Sequence, residues 1–285
     1  MMEKVTVKTI LEKKRKGEKI SALTAYDYSS AIIVDNAGID IILVGDSLGN
    51  TILGYESTLP VTMEDMLHHV KAVARGRKRS LLIADMPYMS FHLSPQETVR
   101  NASLFMREGA EGVKIEGGKK RINMVKALLD AEIPVMGHIG LTPQSIHIFG
   151  GYRVQGKEIE SAKALIEDAI ALEEAGVFSI VLESVPTEVS KIITKILKIP
   201  TIGIGAGPFC DGQILVFHDL LGLTPGYLPK FVRKYADLQK IIDTSIKSYI
   251  EDIKNGKFPD ERESYHLSEE IKEKLEREYG DFLKD

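Results

Sequence analysis

Short apolar runs rich in β-branched residues recur along the chain, each closing in a polar or glycine-containing turn and separated from the next by a segment of helical periodicity. That alternation is expected of repeated βα units, because strands bury with period 2 and helices with period 3.6. Eight such runs occur: Ile20–Asp27, Ile39–Ser47, Ser80–Pro87, Gly112–Gly118, Pro134–Gly140, Phe178–Val185, Ile199–Gly207 and Gln213–Asp219. The intervening pattern predicts helices over Ser29–Asn36, Met63–Arg75, Pro95–Glu108, Lys119–Ala131, Glu158–Ala175, Glu188–Ile196 and Lys234–Lys254. Thr62 before Glu64 and Asp65, and Ser94–Pro95 before Glu97, suit N-caps with an acidic first turn. Gly38, Gly76, Gly109 and Gly176 follow predicted helices and suit C-terminal caps. Leu220–Pro229 reads as a loop before the last helix.

Eight units without a composition break favour one closed (β/α)8 TIM barrel over residues 1–258 rather than two Rossmann-like domains. An open doubly wound sheet is the structural alternative. Residues 259–285 are highly charged, and Ile271, Leu275 and Tyr279 share one helical face, so this tail is expected to be helical.

Composition narrows the functional classes. Of 285 residues, 44% are hydrophobic and 27% charged, the balance of a globular chain with a sizeable core. A net charge of −4 gives no bulk attraction to nucleic acid or an anionic membrane, so a small ligand is expected. One cysteine, Cys210, excludes an intrachain disulfide and a thiolate-rich metal site, and suits a reducing cytoplasm. The charged run Glu12–Lys16 leaves no room for the apolar core of a signal peptide, and no apolar run approaches a membrane span.

Barrel enzymes carry their chemistry at the C-terminal ends of the strands. Those ends are acidic here: Asp46–Ser47 in the second run, Asp85 in the third, Lys114 and Glu116 in the fourth, His138 in the fifth, Glu183 in the sixth. Alternation places Ile42, Val44 and Asp46 on one face, and likewise Ile83 with Asp85, Lys114 with Glu116, and Val181 with Glu183. Asp46, Asp85 and Glu116 would repel one another if they converged alone, and a divalent cation such as Mg2+ relieves this through hard oxygen ligands. Taken singly, each acid can instead pair with a basic residue or cap a helix. Lys114 either neutralises a substrate anion or pairs with Asp46 or Asp85, and His138 either meets a substrate oxygen or satisfies an acid. Glu183, two strands beyond Glu116, suits a general base, since a partly apolar pocket raises a carboxyl towards neutrality. A buried ion pair is its alternative role. Gly203–Gly207 can admit a phosphate to backbone N–H groups, or serve packing alone.

The segments Leu23–Asp27, Leu43–Gly49, Thr58–Thr62, Ala84–Tyr88, Val113–Gly117, Gly137–Pro143, Gly150–Lys157, Leu182–Pro186 and Thr201–Gly207 together resemble the ketopantoate hydroxymethyltransferases, in order over most of residues 5–255. The resemblance implies a Mg2+-dependent barrel that transfers a one-carbon unit from 5,10-methylenetetrahydrofolate to 3-methyl-2-oxobutanoate, giving 2-dehydropantoate on the route to pantothenate and coenzyme A. It implies metal positions at Asp46, Asp85 and Glu116, keto-acid contacts from Ser47 and Lys114, and Glu183 as proton acceptor; Asp46, Asp85 and His138, at the same strand ends, are counted with the keto-acid contacts. It also implies a homo-oligomer, a decamer in the family. Phe91–Ser94 departs from the small, alanine-rich stretch expected there, and Glu261–Asp285 has no evident counterpart. The rival readings are a lyase or mutase of the phosphoenolpyruvate mutase/isocitrate lyase type, and a noncatalytic binding barrel.

Overall fold

The structure, a computed structural model, describes residues 3–226 and 228–283. Eight parallel strands close into a barrel in chain order: β1 Ile20–Thr24, β2 Ile41–Val44, β3 Leu81–Asp85, β4 Gly112–Glu116, β5 Val135–Gly140, β6 Ser179–Glu183, β7 Thr201–Ile204 and β8 Gly212–Leu215. Closure runs from β8 back to β1 in the register Ile20↔Gly212 through Leu23↔Leu215. Each predicted run falls on one strand, and most extend past its C-terminal end, because their last polar residues leave the ladder for the barrel mouth.

Strand alternation divides the apolar side chains into two layers. Ile41, Leu43, Leu81, Ile83, Met136 and Val181 fill the barrel, whereas Ile42, Val44, Leu82, Ala84, Ile115 and Leu182 pack outward beneath the helices. Asp85 and Glu183 thus continue inward-facing rows. Asp46 does not, since Ile42 and Val44 face outward and strict alternation would carry Asp46 with them. β2 ends at Val44, and the turn through Gly45 redirects Asp46 into the mouth.

The predicted helices form within a few residues of their expected limits, with Lys119–Ala131 resolved into a 3-10 turn, Lys119–Arg121, and a helix, Ile122–Asp130. Thr62 and Asp65 make a reciprocal cap, and Ser94 Oγ accepts from Glu97 N. Gly76 is no C-cap. It is the last residue of Met63–Gly76, and a Cβ there would lie 2.6 Å from Tyr28 O and 2.9 Å from Ala31 Cβ, so it lets two helices approach closely. Phe217–Leu221 is a short helix where a loop was expected from Leu220.

An unforeseen helix, Val7–Lys16, begins the fold, its first turn capped by Thr6. Val5 and Ile10 join the inner apolar layer and seal the end of the barrel opposite the mouth. Lys13 and Lys14 pair there with Asp40 at 2.7 Å and Asp211 at 2.8 Å. The charged run is therefore an anchor as well as a solvated face.

Asp35 fixes the entry to β3. Its carboxylate accepts from the backbone N–H groups of Lys78, Arg79 and Ser80 and from Ser80 Oγ. Burial pushes this carboxyl up, but those four donors outweigh it and hold it below the usual value. Asp35→Ala should cost about 3 kcal/mol in urea unfolding at neutral pH. Because the folded value is the lower one, this stabilisation is complete above the unfolded carboxyl value, about 3.9, and fades as pH falls through the folded one. A variant as stable as the wild type would remove Asp35 as a staple.

The chain falls into two compact units, the first ending at Ala236 and the second beginning at Asp237. The second holds the helices Leu238–Lys254 and Glu269–Tyr279, the latter carrying Ile271, Leu275 and Tyr279.

Candidate active site

The sheet register brings the polar residues to successive levels of the mouth. Asp85 is the Cα partner of Lys114, Glu116 of His138, and Gly140 of Glu183. Lys114 Nζ lies 2.8 Å from Asp85 Oδ1, 3.9 Å from Glu116 Oε1 and 3.1 Å from His138 Nδ1. His138 joins two acids, with Nδ1 3.3 Å from Glu116 Oε1 and Nε2 3.3 Å from Glu183 Oε2. Asp46 N donates to Asp85 Oδ2 at 3.2 Å. All the sequence-derived candidates therefore meet in one cluster except Ser47, which stands beside it with Oγ 2.8 Å from Tyr26 Oη.

Two residues without an assigned role hold the cluster together. Gln144 donates from Nε2 to Asp46 Oδ2 at 2.8 Å and from its backbone N–H to Glu116 Oε2 at 3.1 Å. It sits one position beyond the Gly137–Pro143 motif, after a strand end, and that placement was its one sequence signal. Tyr26, fully buried, orients the Ser47 hydroxyl, and burial pushes its phenol up to about 12, so it stays neutral.

The electrostatics follow from burial and crowding. Burial and the charges of Asp85 and Glu116 drive the Asp46 carboxyl well above its ordinary value. Asp85 is also raised, by burial first, with Lys114 opposing. Burial would raise Glu116 too, but His138, Lys114 and the Gln144 N–H bring it below. Burial disfavours the Lys114 ammonium, yet Asp85, Glu116 and Asp46 raise it above its usual value. Burial and Lys114 disfavour the His138 imidazolium, and Glu116 and Glu183 overcome them to bring it to about 9. Two cations are thus set among four carboxylates.

Gln144 Oε1 is buried and accepts no hydrogen bond in the structure, while Asp85 Oδ1 and Glu116 Oε1 face only the side-chain cations Lys114 and His138. Buried oxygens of this kind suit a hard cation. Among the described residues no three His, Cys, Asp or Glu side chains stand as a ready three-ligand metal site.

Glu183 differs from the other acids in being partly exposed, at 17% of its side chain. Its pocket is polar, with the imidazole of His138 where a partly apolar wall was expected. The backbone around it leaves little freedom: Leu141 N donates to Glu183 O at 2.9 Å, and Ser184 takes φ +49°. Gly140, at φ +95°, permits this contact, since a Cβ there would lie 2.3 Å from Glu183 O.

Residues 4–261 match the family described as ketopantoate hydroxymethyltransferase. The chain belongs to that family. The 3-methyl-2-oxobutanoate hydroxymethyltransferase of Syntrophomonas wolfei is 56% identical over 275 residues, covering 96% of this chain and 100% of that one. The enzyme of the same name from Koribacter versatilis is 57% identical over 274 residues, covering 96% of this chain and 93% of its own. The first alignment is long enough to take in much of the charged tail, so that segment does have a counterpart in a relative.

Among solved structures, a phosphonopyruvate hydrolase with oxalate and Mg2+ superposes with TM-score 0.58 at 13% identity, over 96% of this chain and 99% of that one. A 2,3-dimethylmalate lyase of the phosphoenolpyruvate mutase/isocitrate lyase superfamily gives TM-score 0.59 at 14% identity, with coverages of 96% and 99%. At such identity the likeness is one of fold. Cys210, the single cysteine, is buried beside Asp211, at the sealed end rather than the mouth. The glycines of Gly203–Gly207 serve packing: Gly205 faces the Phe231 ring and Gly207 faces Thr187, each too close for a Cβ.

Proposed function

We propose that the enzyme transfers a one-carbon unit from 5,10-methylenetetrahydrofolate to 3-methyl-2-oxobutanoate, giving 2-dehydropantoate. The observation that carries the chemistry is the contrast among the mouth carboxylates: Glu183 opens to the cavity, while Asp46, Asp85 and Glu116 are buried around an ammonium.

Glu183 takes the C3 proton of the keto acid, and His138 keeps its carboxylate aimed. Ser47, fixed by Tyr26, hydrogen-bonds a keto-acid oxygen, and Lys114 offsets the charge that develops as C3 becomes nucleophilic. C3 then bonds to the methylene carbon of the donor, whose bonds to N5 and N10 break; water supplies the hydroxyl oxygen of the product, and tetrahydrofolate leaves carrying one proton from that water and the one taken from C3. Asp46, Asp85 and Glu116 are the residues that would hold a divalent cation, Mg2+ by the hardness of their oxygens. When bound, the ion polarises the keto-acid carbonyl as a Lewis acid.

Asp46→Asn and Asp85→Asn should each weaken Mg2+ binding by about tenfold or more in calorimetric titration, since each removes one charge from the ligand set. Wild-type affinity in both would exclude them as ligands. Turnover with another reduced pterin but not with tetrahydrofolate would keep the reaction class and replace the donor.

No helix among the described residues is long and apolar enough to cross a membrane, and the buried single cysteine suits the cytoplasm. Assembly into a homo-oligomer, a decamer by resemblance, is supported by the row Ile242, Ile246 and Ile250 on the helix Leu238–Lys254.

A further inference from the structure

Arg121 ends the 3-10 turn that follows β4, and the turn through Gly117, at φ +112°, folds it back over the strand end. Its Nε donates to Glu116 O at 3.4 Å, and its guanidinium lies 5.5 Å from the centre of the Phe91 ring. Phe91 is buried and comes from the loop after β3. Arg121 is half-buried, yet among the described residues it joins no ion pair and its terminal Nη groups make no hydrogen bond. A partly desolvated guanidinium without an acid is costly, and its free fork matches a carboxylate. Next to Phe91, His92 packs at 4.2 Å between ring centres, and its buried Nδ1 has no hydrogen-bond partner. Burial first, and then the nearby Arg121 charge, lowers this imidazole to about 4, so it faces the guanidinium uncharged.

These groups sit in the loops above the strand-end layer, beyond the keto-acid contacts Ser47 and Lys114. We propose that Arg121, with His92 beside it, forms a carboxylate-binding subsite that holds a glutamyl carboxylate of the folate donor. The subsite rests on the reaction proposed above, because only the donor is large enough to reach outward from C3 and carries a second carboxylate. Phe91, under the guanidinium, and His92, packed on Phe91, line it.

The test compares steady-state kinetics of the wild type, Arg121→Gln, Arg121→Lys and His92→Ala. In Arg121→Gln the KM for 5,10-methylenetetrahydrofolate should rise roughly tenfold or more, the loss expected for one charge-assisted pair. The KM for the keto acid and the folate-free exchange of its C3 proton should stay within about twofold. Arg121→Lys, which keeps the charge and loses the fork, and His92→Ala should give smaller rises. A methylene donor ending before the glutamyl group should bind the wild type as weakly as the full donor binds Arg121→Gln, with no further loss in the variant. An unchanged donor KM in Arg121→Gln overturns the subsite and leaves the reaction standing. A rise confined to the keto-acid KM overturns it in favour of the other substrate's carboxylate. A wild type that exchanges the C3 proton but turns over no folate overturns the donor and the subsite together.

Discussion

Glu183→Gln should reduce exchange of the C3 proton of 3-methyl-2-oxobutanoate into D2O by about 10²- to 10⁴-fold, the usual contribution of a positioned general base. The amide keeps the size of the side chain but has no basic oxygen to accept the proton. Keto-acid affinity should change little, since Glu183 joins the cluster at its edge, through His138. NMR of the C3 position, with Mg2+ present and folate absent, reads the half-reaction directly. Unchanged exchange in the variant would sink the base assignment, and a wild type without exchange would favour a noncatalytic barrel.

Lys114→Met should destabilise the protein without added divalent cation by about 3–5 kcal/mol, because it leaves buried carboxylates without the ammonium between them. The deficit should depend on pH with a definite sign. Asp46 and Asp85 have raised folded values. Each therefore contributes most to stability below the unfolded value, about 3.9, and loses that contribution as pH rises through the folded one. Removing Lys114 raises them further, so the deficit grows as pH rises from the unfolded carboxyl value towards neutrality, a range in which lysine itself stays charged. Urea unfolding of both proteins across that range tests this, and a flat difference would contradict it.

Much of the fold was legible because hydropathic period is a local property: each strand and most helices carry their own pattern. Asp85 and Glu183 were legible as site residues for the same reason, as inward rows with a polar last member. Asp46 was found by a rule that does not hold at its position, since the turn at Gly45 rather than strand parity aims it inward. Gln144 and Arg121 act through backbone turns after the strand ends, and no period marks such residues. Nor does residue type alone distinguish a half-buried arginine without an acid from a solvated one. The helix Val7–Lys16 is not among the predicted ones: its charged run argues only against a signal peptide, and the partners of Lys13 and Lys14, Asp40 and Asp211, are remote in sequence.

That helix gives the barrel one wet end. Val5 and Ile10 stopper the base, beneath an inner layer that includes Ile41, Leu43, Leu81, Ile83, Met136 and Val181. On the proposed mechanism, the proton that Glu183 takes up in the folate-free exchange returns to bulk water through the mouth, where that side chain is partly exposed.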